Sequence, residues 1–127
     1  MLRFVLPAAA MLLLGTSLPA AAQNAEAGQR VFRTQCTACH TINQGGRNGV
    51  GPNLFGVVGR KAASLENFRY SAPMREKAAG GLTWDEATLR AYIANPKAVV
   101  PGGAMSYAGL RNEQQLNDLI AYLAAQK

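Results

Sequence analysis

Two cysteines and the single histidine of the chain lie within one short segment, Cys36-Thr37-Ala38-Cys39-His40. Thiolate sulfur and imidazole nitrogen are good metal ligands, and thiols also form covalent bonds to other groups. A disulfide between Cys36 and Cys39 would close a very short loop and would add little stability to a domain. The pair is therefore poorly explained as a structural crosslink.

The rest of the sequence distinguishes between the other kinds of site that two cysteines and a histidine can form. A thioredoxin-like dithiol would lie between a strand and a helix, and no βαβ pattern is present. A zinc site needs more ligands than the two cysteines and one histidine of the chain. Cys-x-x-Cys-His is also the attachment signature of c-type haem. We predict thioethers from Cys36 and Cys39 to one covalent haem c, with His40 as the proximal ligand of the iron.

The second axial ligand of that iron can be argued by elimination. His40 is the only histidine, so a second histidine ligand from this chain is excluded. Met74 falls in a predicted helix, where a core role is usual. Met105 falls in a glycine-rich loop, and glycines let the backbone approach a flat ring closely. Met105 is favoured, with Met74 or an open position as the alternatives, and His/Met ligation favours the high potential of an electron carrier.

The N-terminus has the pattern of a secretory signal peptide. Arg3 is followed by an apolar stretch from Phe4 to Leu18 and by small residues that end at Ala22. The stretch is short for a membrane span, which needs about 20 apolar residues. We predict a cleaved signal peptide over residues 1–22, a single domain over 23–127, and export to the periplasm.

Capping residues predict the helices that must position the motif. Asn24 can cap a helix over about 25–38, and Ser71 a short helix through Ala79. The capping box Thr83–Glu86 predicts a helix that ends near Asn95, because a proline follows.

A last helix is predicted after Asn112, with Gln115 in its first turn and a full apolar stripe. Two long loops, 41–70 and 96–111, separate the helices and are rich in glycine and proline. Loops of this length are uncommon in a small domain unless something organises them. A large buried apolar cofactor would supply the missing core.

The formal net charge of the chain is +6, and the basic residues are scattered along it. Nothing in the sequence resembles a nucleic-acid-binding module, so no nucleic-acid partner is expected. A basic exported protein can instead dock on acidic protein surfaces. Contact with a membrane is expected only through partner complexes.

Several further positions carry a family resemblance. Besides the haem motif they are Gly28, Phe32, Gly51-Pro52-Asn53-Leu54, Arg60, Tyr70, Trp84, Tyr92, Asn95-Pro96-Lys97, Tyr107, Leu119 and Tyr122. From Ala25 to Ala125 the sequence resembles class I cytochrome c, the mitochondrial and related bacterial monohaem group. The resemblance implies an all-α fold of three to five short helices, joined by long loops around one covalent haem.

The resemblance also implies roles for individual residues. The carbonyl of Pro52 would accept a hydrogen bond from the second N–H of His40 and so orient the ring. Arg60, Tyr70 and Trp84 would be partners of the haem propionates. The hydroxyl of Tyr92 would lie near the methionine sulfur. The sequence departs from the family at Met74, where relatives carry an amide, and at Gly103 and Ala104, just before Met105.

The expected function is one-electron transfer between redox complexes, with no catalytic residues. The donor would be a bc-type complex or a dehydrogenase, and the acceptor a terminal oxidase, a reaction centre or a peroxidase. The rival functions, a haem peroxidase or a gas sensor, need an open iron position, and a peroxidase also needs a distal acid–base group. No histidine remains for that duty, so we expect a monomeric carrier and not an enzyme.

Overall fold

The computed structural model describes Phe4, Gly15 and residues 24–127, and the rest of the predicted signal peptide lies outside these residues. Among the described residues, no helix is both long and apolar enough to cross a membrane. The helices are α1 Ala25–Gln35, α2 Ala72–Ala79, α3 Glu86–Ala94, α4 Pro96–Val99 and α5 Glu113–Ala125. The predicted all-α architecture of short helices joined by long loops is confirmed.

Side-chain caps fix where three of the helices begin. Asn24, Ser71 and Asn112 each accept a hydrogen bond from the backbone N–H three residues further on, at 3.1, 3.3 and 3.0 Å. Each bond satisfies a backbone donor that has no partner within its own helix. These three predicted caps are confirmed.

The predicted capping box at Thr83 is wrong. The N-cap of α3 is Asp85, whose carboxylate accepts the N–H of Thr88 at 2.8 Å, so the helix begins at Glu86. Thr83 pairs with Lys61 in an isolated antiparallel bridge. Trp84, which would open the predicted helix, instead donates its N–H to the Arg60 carbonyl at 2.8 Å and accepts the Gly59 N–H at 2.7 Å, so its backbone groups are used by the loop opposite.

Two other boundaries differ from the prediction. Helix α1 ends at Gln35 and not near residue 38, because Cys36 has left helical geometry with a φ of −120°. The predicted loop 96–111 begins with the single helical turn α4, which has Pro96 at its first position. A proline is favourable there, but four residues are too few to produce a periodic pattern.

Helices α1 and α5 cross with their backbones in contact at Gly28. A Cβ atom placed on Gly28 would overlap the carbonyl oxygen of Asp118 and lie 2.8 Å from the Cβ of Tyr122. The rings of Phe32 and Tyr122 pack beside this point, with centroids 5.6 Å apart. Gly28 and Phe32 of α1 thus both pack against Tyr122 of α5.

The same crossing includes a buried carboxylate. Asp118 accepts the backbone N–H of Asn24 at 3.1 Å and the side-chain amide of Gln114 at 2.9 Å. Because Asn24 is the N-cap of α1, the bond ties the start of α1 to the middle of α5. The two helices thus form one unit, and the attachment motif begins directly where α1 ends.

Candidate haem site

One apolar cavity lies among α1, α2, α3, α5 and the irregular segments between them. It encloses about 1170 Å³ of space not filled by protein atoms, counted with its open mouth. The side chains that line it are mostly apolar, with a few polar groups, as is usual for small-molecule and cofactor sites. Every predicted site residue lines it: Cys36, Cys39, His40, Pro52, Arg60, Tyr70, Trp84, Tyr92 and Met105.

The attachment motif forms a turn directly after α1. The N–H groups of Cys39 and His40 both donate to the carbonyl oxygen of Cys36, at 3.1 and 2.9 Å. Cys36 and Cys39 are not joined in a disulfide. Burial, and secondarily the nearby Cys39, raises the pKa of the Cys36 thiol to about 11. Two cysteine side chains and an imidazole therefore face one cavity from a single turn of chain.

The ring of His40 is held by the loop opposite. Its Nδ1 lies 2.7 Å from the carbonyl oxygen of Pro52, so Nδ1–H donates to that oxygen. Burial lowers the pKa of His40, and this effect outweighs the Pro52 bond, which acts in the opposite direction. A neutral imidazole that donates through Nδ1 keeps the lone pair of Nε2 for a metal.

Gly51 lets the loop approach this ring closely. A Cβ atom at Gly51 would overlap the imidazole of His40 and lie 2.6 Å from its Nδ1. Any larger residue would therefore displace the ring or the neighbouring Pro52. The close approach explains why the hydrogen-bonding carbonyl is preceded by glycine.

Asn53 holds the Pro52 loop in place, a role that the sequence analysis did not assign. Its side chain is 9% exposed, donates to Thr41 Oγ1 at 2.7 Å and to the Asn43 carbonyl at 3.0 Å, and accepts the N–H of Phe55 at 2.9 Å. No periodic pattern marks such a residue. The sequence does show that this amide lies in the Gly51–Leu54 segment, which carries the family resemblance, and that it follows the proline that orients His40.

Arg60 brings a positive charge into the cavity wall. Its guanidinium donates to the carbonyl oxygens of Asn53 at 2.9 Å and of Phe55 at 3.3 Å. Burial lowers the pKa of Arg60. Among the described residues no carboxylate forms an ion pair with it. A half-buried cation beside an apolar cavity suits a ligand that carries carboxylates, as haem does in its propionates.

The aromatic residues form another part of the wall. Trp84 and Tyr92 are 6% and 9% exposed, and their rings pack at a centroid distance of 4.7 Å. Burial raises the pKa of Tyr92, so its hydroxyl stays protonated. Tyr70 accepts the N–H of Leu65 at 3.3 Å through its own hydroxyl. These side chains offer flat apolar surface with a few polar groups, which matches a porphyrin-like ring.

Both methionines of residues 24–127 line the cavity. Met105 lies on the irregular segment after α4, and Met74 on the first turn of α2. The interpretation of Met74 as an ordinary core residue is therefore incomplete, because its side chain packs against the core and also lines the cavity. The donor set available to an iron consists of one imidazole and two thioethers.

Comparison with known proteins agrees with this site. The cytochrome c family model matches residues 25–127. The chain is 45% identical to cytochrome c2 of Blastochloris viridis over 87% of this chain and 84% of that protein. It is 52% identical to cytochrome c2 iso-2 of Magnetospirillum fulvum over 69% of this chain and 88% of that protein.

A relative outside the cytochrome c2 proteins is also similar. Cytochrome c of Nigella damascena is 38% identical over 82% of this chain and 91% of its own length. The family match covers all five helices and the whole cavity. The chain therefore belongs to the cytochrome c family, and its cofactor is one covalently bound haem c.

Proposed function

We propose that this electron carrier holds its haem through thioethers from Cys36 and Cys39, with His40 and Met105 as the axial ligands of the iron. Family membership makes the chain an electron carrier between redox complexes with one haem c. The observation that supports the residue assignment is the single cavity. The site residues between 36 and 105 were predicted from the sequence on separate grounds, and they all line this one cavity.

His40 would serve as the proximal ligand through Nε2. Its Nδ1–H donates to the Pro52 carbonyl, which fixes the ring and makes the imidazole a stronger ligand. Asn53 and Gly51 keep that carbonyl in position. This ligand is thus oriented by backbone groups, which do not titrate.

Met105 would serve as the second axial ligand in preference to Met74. The segment that carries Met105 reaches the attachment motif, because Tyr107 bonds to Gln35, the residue before Cys36. Met74 lies in the first turn of α2, four residues after Tyr70, and its backbone N–H donates to the Ser71 cap. Tyr70 belongs to the group proposed to face the propionates, so Met74 would lie at that side of the ring.

The chain's residues would control the surroundings of the iron. When bound, haem c supplies a one-electron couple between ferric and ferrous iron. A neutral thioether ligand and an apolar wall that includes Trp84 and Tyr92 favour the less charged ferrous state, which raises the potential. Arg60 would balance the carboxylates of the ring and shield them from the apolar wall.

We propose that the chain is a carrier and not an enzyme. Peroxidase chemistry needs an open iron position with a distal acid–base group. Met105 would fill that position, and the single histidine of the chain is already the proximal ligand. Within this account the protein moves electrons and binds no substrate.

The proposed cellular setting follows from the charge and the N-terminus. Residues 1–22 would direct export and be cleaved, which would leave a soluble monomeric carrier in the periplasm. Cleavage would remove Arg3 and leave a formal charge of +5, which suits acidic docking surfaces on partners. We propose a bc-type complex or a dehydrogenase as the donor, and a terminal oxidase, reaction centre or peroxidase as the acceptor.

The ligand assignment is tested with two haem-loaded variants, Met105→Ala and Met74→Ala. Met105→Ala should abolish the sulfur-to-iron charge-transfer band of the ferric protein, lower its potential and allow azide to bind readily. Met74→Ala should keep the band and lose only packing stability. Loss of the band in Met74→Ala, with the band intact in Met105→Ala, would reverse the assignment.

A further inference from the structure

A hydrogen bond spans the cavity between two distant parts of the chain. The hydroxyl of Tyr107 donates to Oε1 of Gln35 at 2.7 Å, although the residues are 72 apart in sequence. Both side chains line the cavity, Gln35 beside Cys36 and Tyr107 beside the Met105 segment. The bond therefore joins two lining residues at a solvent-exposed point of the cavity wall.

The two partners of this bond differ in how firmly they are held. Gln35 is the last residue of α1, which is packed against α5 at Gly28 and Phe32. Tyr107 belongs to residues 104–108, which contain no helix. A fixed acceptor therefore faces a donor on an irregular segment.

The irregular segment is tied to the protein mainly at its ends. Before it, the Gly103 N–H donates to Val100 at 3.0 Å, and after it the Leu110 N–H donates to Ile93 at 2.9 Å. Within the described part of the chain, the hydrogen bond made by residues 104–108 themselves is the one from Tyr107 to Gln35. Besides the packing of Met105 and Tyr107 against the core, and the proposed bond from Met105 to the iron, one side-chain hydrogen bond thus restrains this segment between its two anchors.

We propose that the Tyr107–Gln35 bond is a latch that holds residues 104–108 over the cavity and positions the Met105 thioether. This inference rests on the assignment of Met105 as an iron ligand. Tyr107 acts through Met105 and is a positioning residue. The physical reason is that opening the segment must break this bond first, and a solvent-accessible hydrogen bond raises the free energy of opening only modestly.

The latch is tested by the rate at which azide binds the ferric, haem-loaded protein, because azide enters only when the Met105 segment opens. Tyr107→Phe keeps the ring and removes the donor, and Gln35→Ala removes the acceptor. Each should raise the binding rate about twofold to tenfold, the range for the loss of one hydrogen bond. The double variant should be no faster than the faster single variant, because both changes break the same bond.

A matched control removes a tyrosine hydroxyl elsewhere. Tyr122→Phe alters the α1–α5 crossing, away from the mouth of the cavity, and should bind azide at the wild-type rate. All of these variants should keep the sulfur charge-transfer band at rest. Amide hydrogen exchange should quicken in residues 104–108 of the two latch variants and stay unchanged in α1 and α5.

Two results would overturn the latch. One is a wild-type azide rate in both Tyr107→Phe and Gln35→Ala, and the other is a double variant whose acceleration equals the product of the two single effects. Failure of the underlying ligand assignment gives a different signature. In that case the wild type lacks the sulfur band, or Met105→Ala leaves azide binding unchanged.

Discussion

The crossing of α1 and α5 and the wall of the haem cavity are held together in different ways. At the crossing, backbone meets backbone at Gly28, and Leu119 and Ile120 of α5 are no more than 1% exposed. The cavity wall consists largely of irregular chain, held by bonds such as those of Asn53 and of Arg60 to backbone carbonyls.

This difference shows which part of the molecule is packed by protein alone. The crossing buries apolar side chains against one another, so its stability comes from its own contacts. The wall faces a large apolar cavity, and its side chains acquire a complete packing partner only from the cofactor. The loops 41–70 and 100–112 should therefore depend on haem far more than the crossing does.

The largest expected effect comes from removing the covalent attachment. Exported Cys36→Ser/Cys39→Ser protein should be largely unfolded and rapidly degraded, because a covalent cofactor stabilises the native state and cannot dissociate from it. Circular dichroism and thermal melting of the purified variant measure this.

Thr37→Ala is the matched control for that variant. It changes the same motif but leaves both thiols, and it loses only the hydroxyl bond to the Arg33 carbonyl at 2.6 Å. It should melt cooperatively within about 1 kcal/mol of the wild type. A haem-free double variant with full helix content and a sharp melt would show that the wall does not need the cofactor.

A smaller effect is expected from crowding the crossing. Gly28→Ala should destabilise the haem-loaded protein by about 3 kcal/mol, because the new Cβ overlaps the Asp118 carbonyl and the backbones must separate. Denaturant unfolding, followed by helix content, gives the free energy. The sulfur band and the azide rate should change little, since the cavity wall is not touched.

Gly80→Ala provides the comparison for Gly28→Ala. Gly80 has a φ of −79°, and a Cβ there would lie 3.4 Å from its nearest neighbour, the Lys77 carbonyl oxygen. The free energy of unfolding should therefore change by about 0.5 kcal/mol or less. Similar losses at the two positions would mean that α1 and α5 do not cross as described.

The smallest expected effect concerns the pH dependence of the α3 cap. The hydrogen bond from the Thr88 N–H lowers the pKa of Asp85 below its ordinary value of 3.8. The cap is therefore fully stabilising above pH 3.8, where Asp85 is ionised in both folded and unfolded states, and it weakens as the pH falls through the lowered folded pKa.

Asp85→Asn isolates this contribution, because asparagine caps a helix without titrating. The difference in melting temperature between wild type and Asp85→Asn should be constant from neutral pH down to about 4, the ordinary pKa range of aspartate. At lower pH the melting temperature of the wild type should fall relative to that of Asp85→Asn. A difference that stays constant in acid would mean that Asp85 does not cap α3 as an ion.

The sequence predicted best those features that depend on local chemistry. Asn24, Ser71 and Asn112 are caps because each has a short polar side chain directly before a helix, and the stripe of α5 is buried because its spacing is helical. The prediction that Thr83 caps α3 is wrong because a capping box and an extended bridge can use the same residue types. Only the pairing with Lys61 decides between them.

The features that the sequence did not predict depend on distant contacts. Asn53 and Tyr107 lie in irregular chain, and Gln35 is an exposed residue at the end of α1, so no repeating hydrophobic pattern identifies them. Met74 was assigned to the core because α2 is a helix, yet its side chain reaches the cavity. The motif predicted the cofactor, but the detailed wall around it follows from the tertiary structure.

Spectroelectrochemical titration of the exported, haem-loaded wild type, with and without azide, tests the central claim most directly. We expect a reversible one-electron transition with a slope of about 59 mV per decade, a sulfur charge-transfer band in the ferric state, and little effect of azide. A ferric protein that lacks the band, binds azide readily and turns over peroxide would contradict the account, because its iron would be open for catalysis.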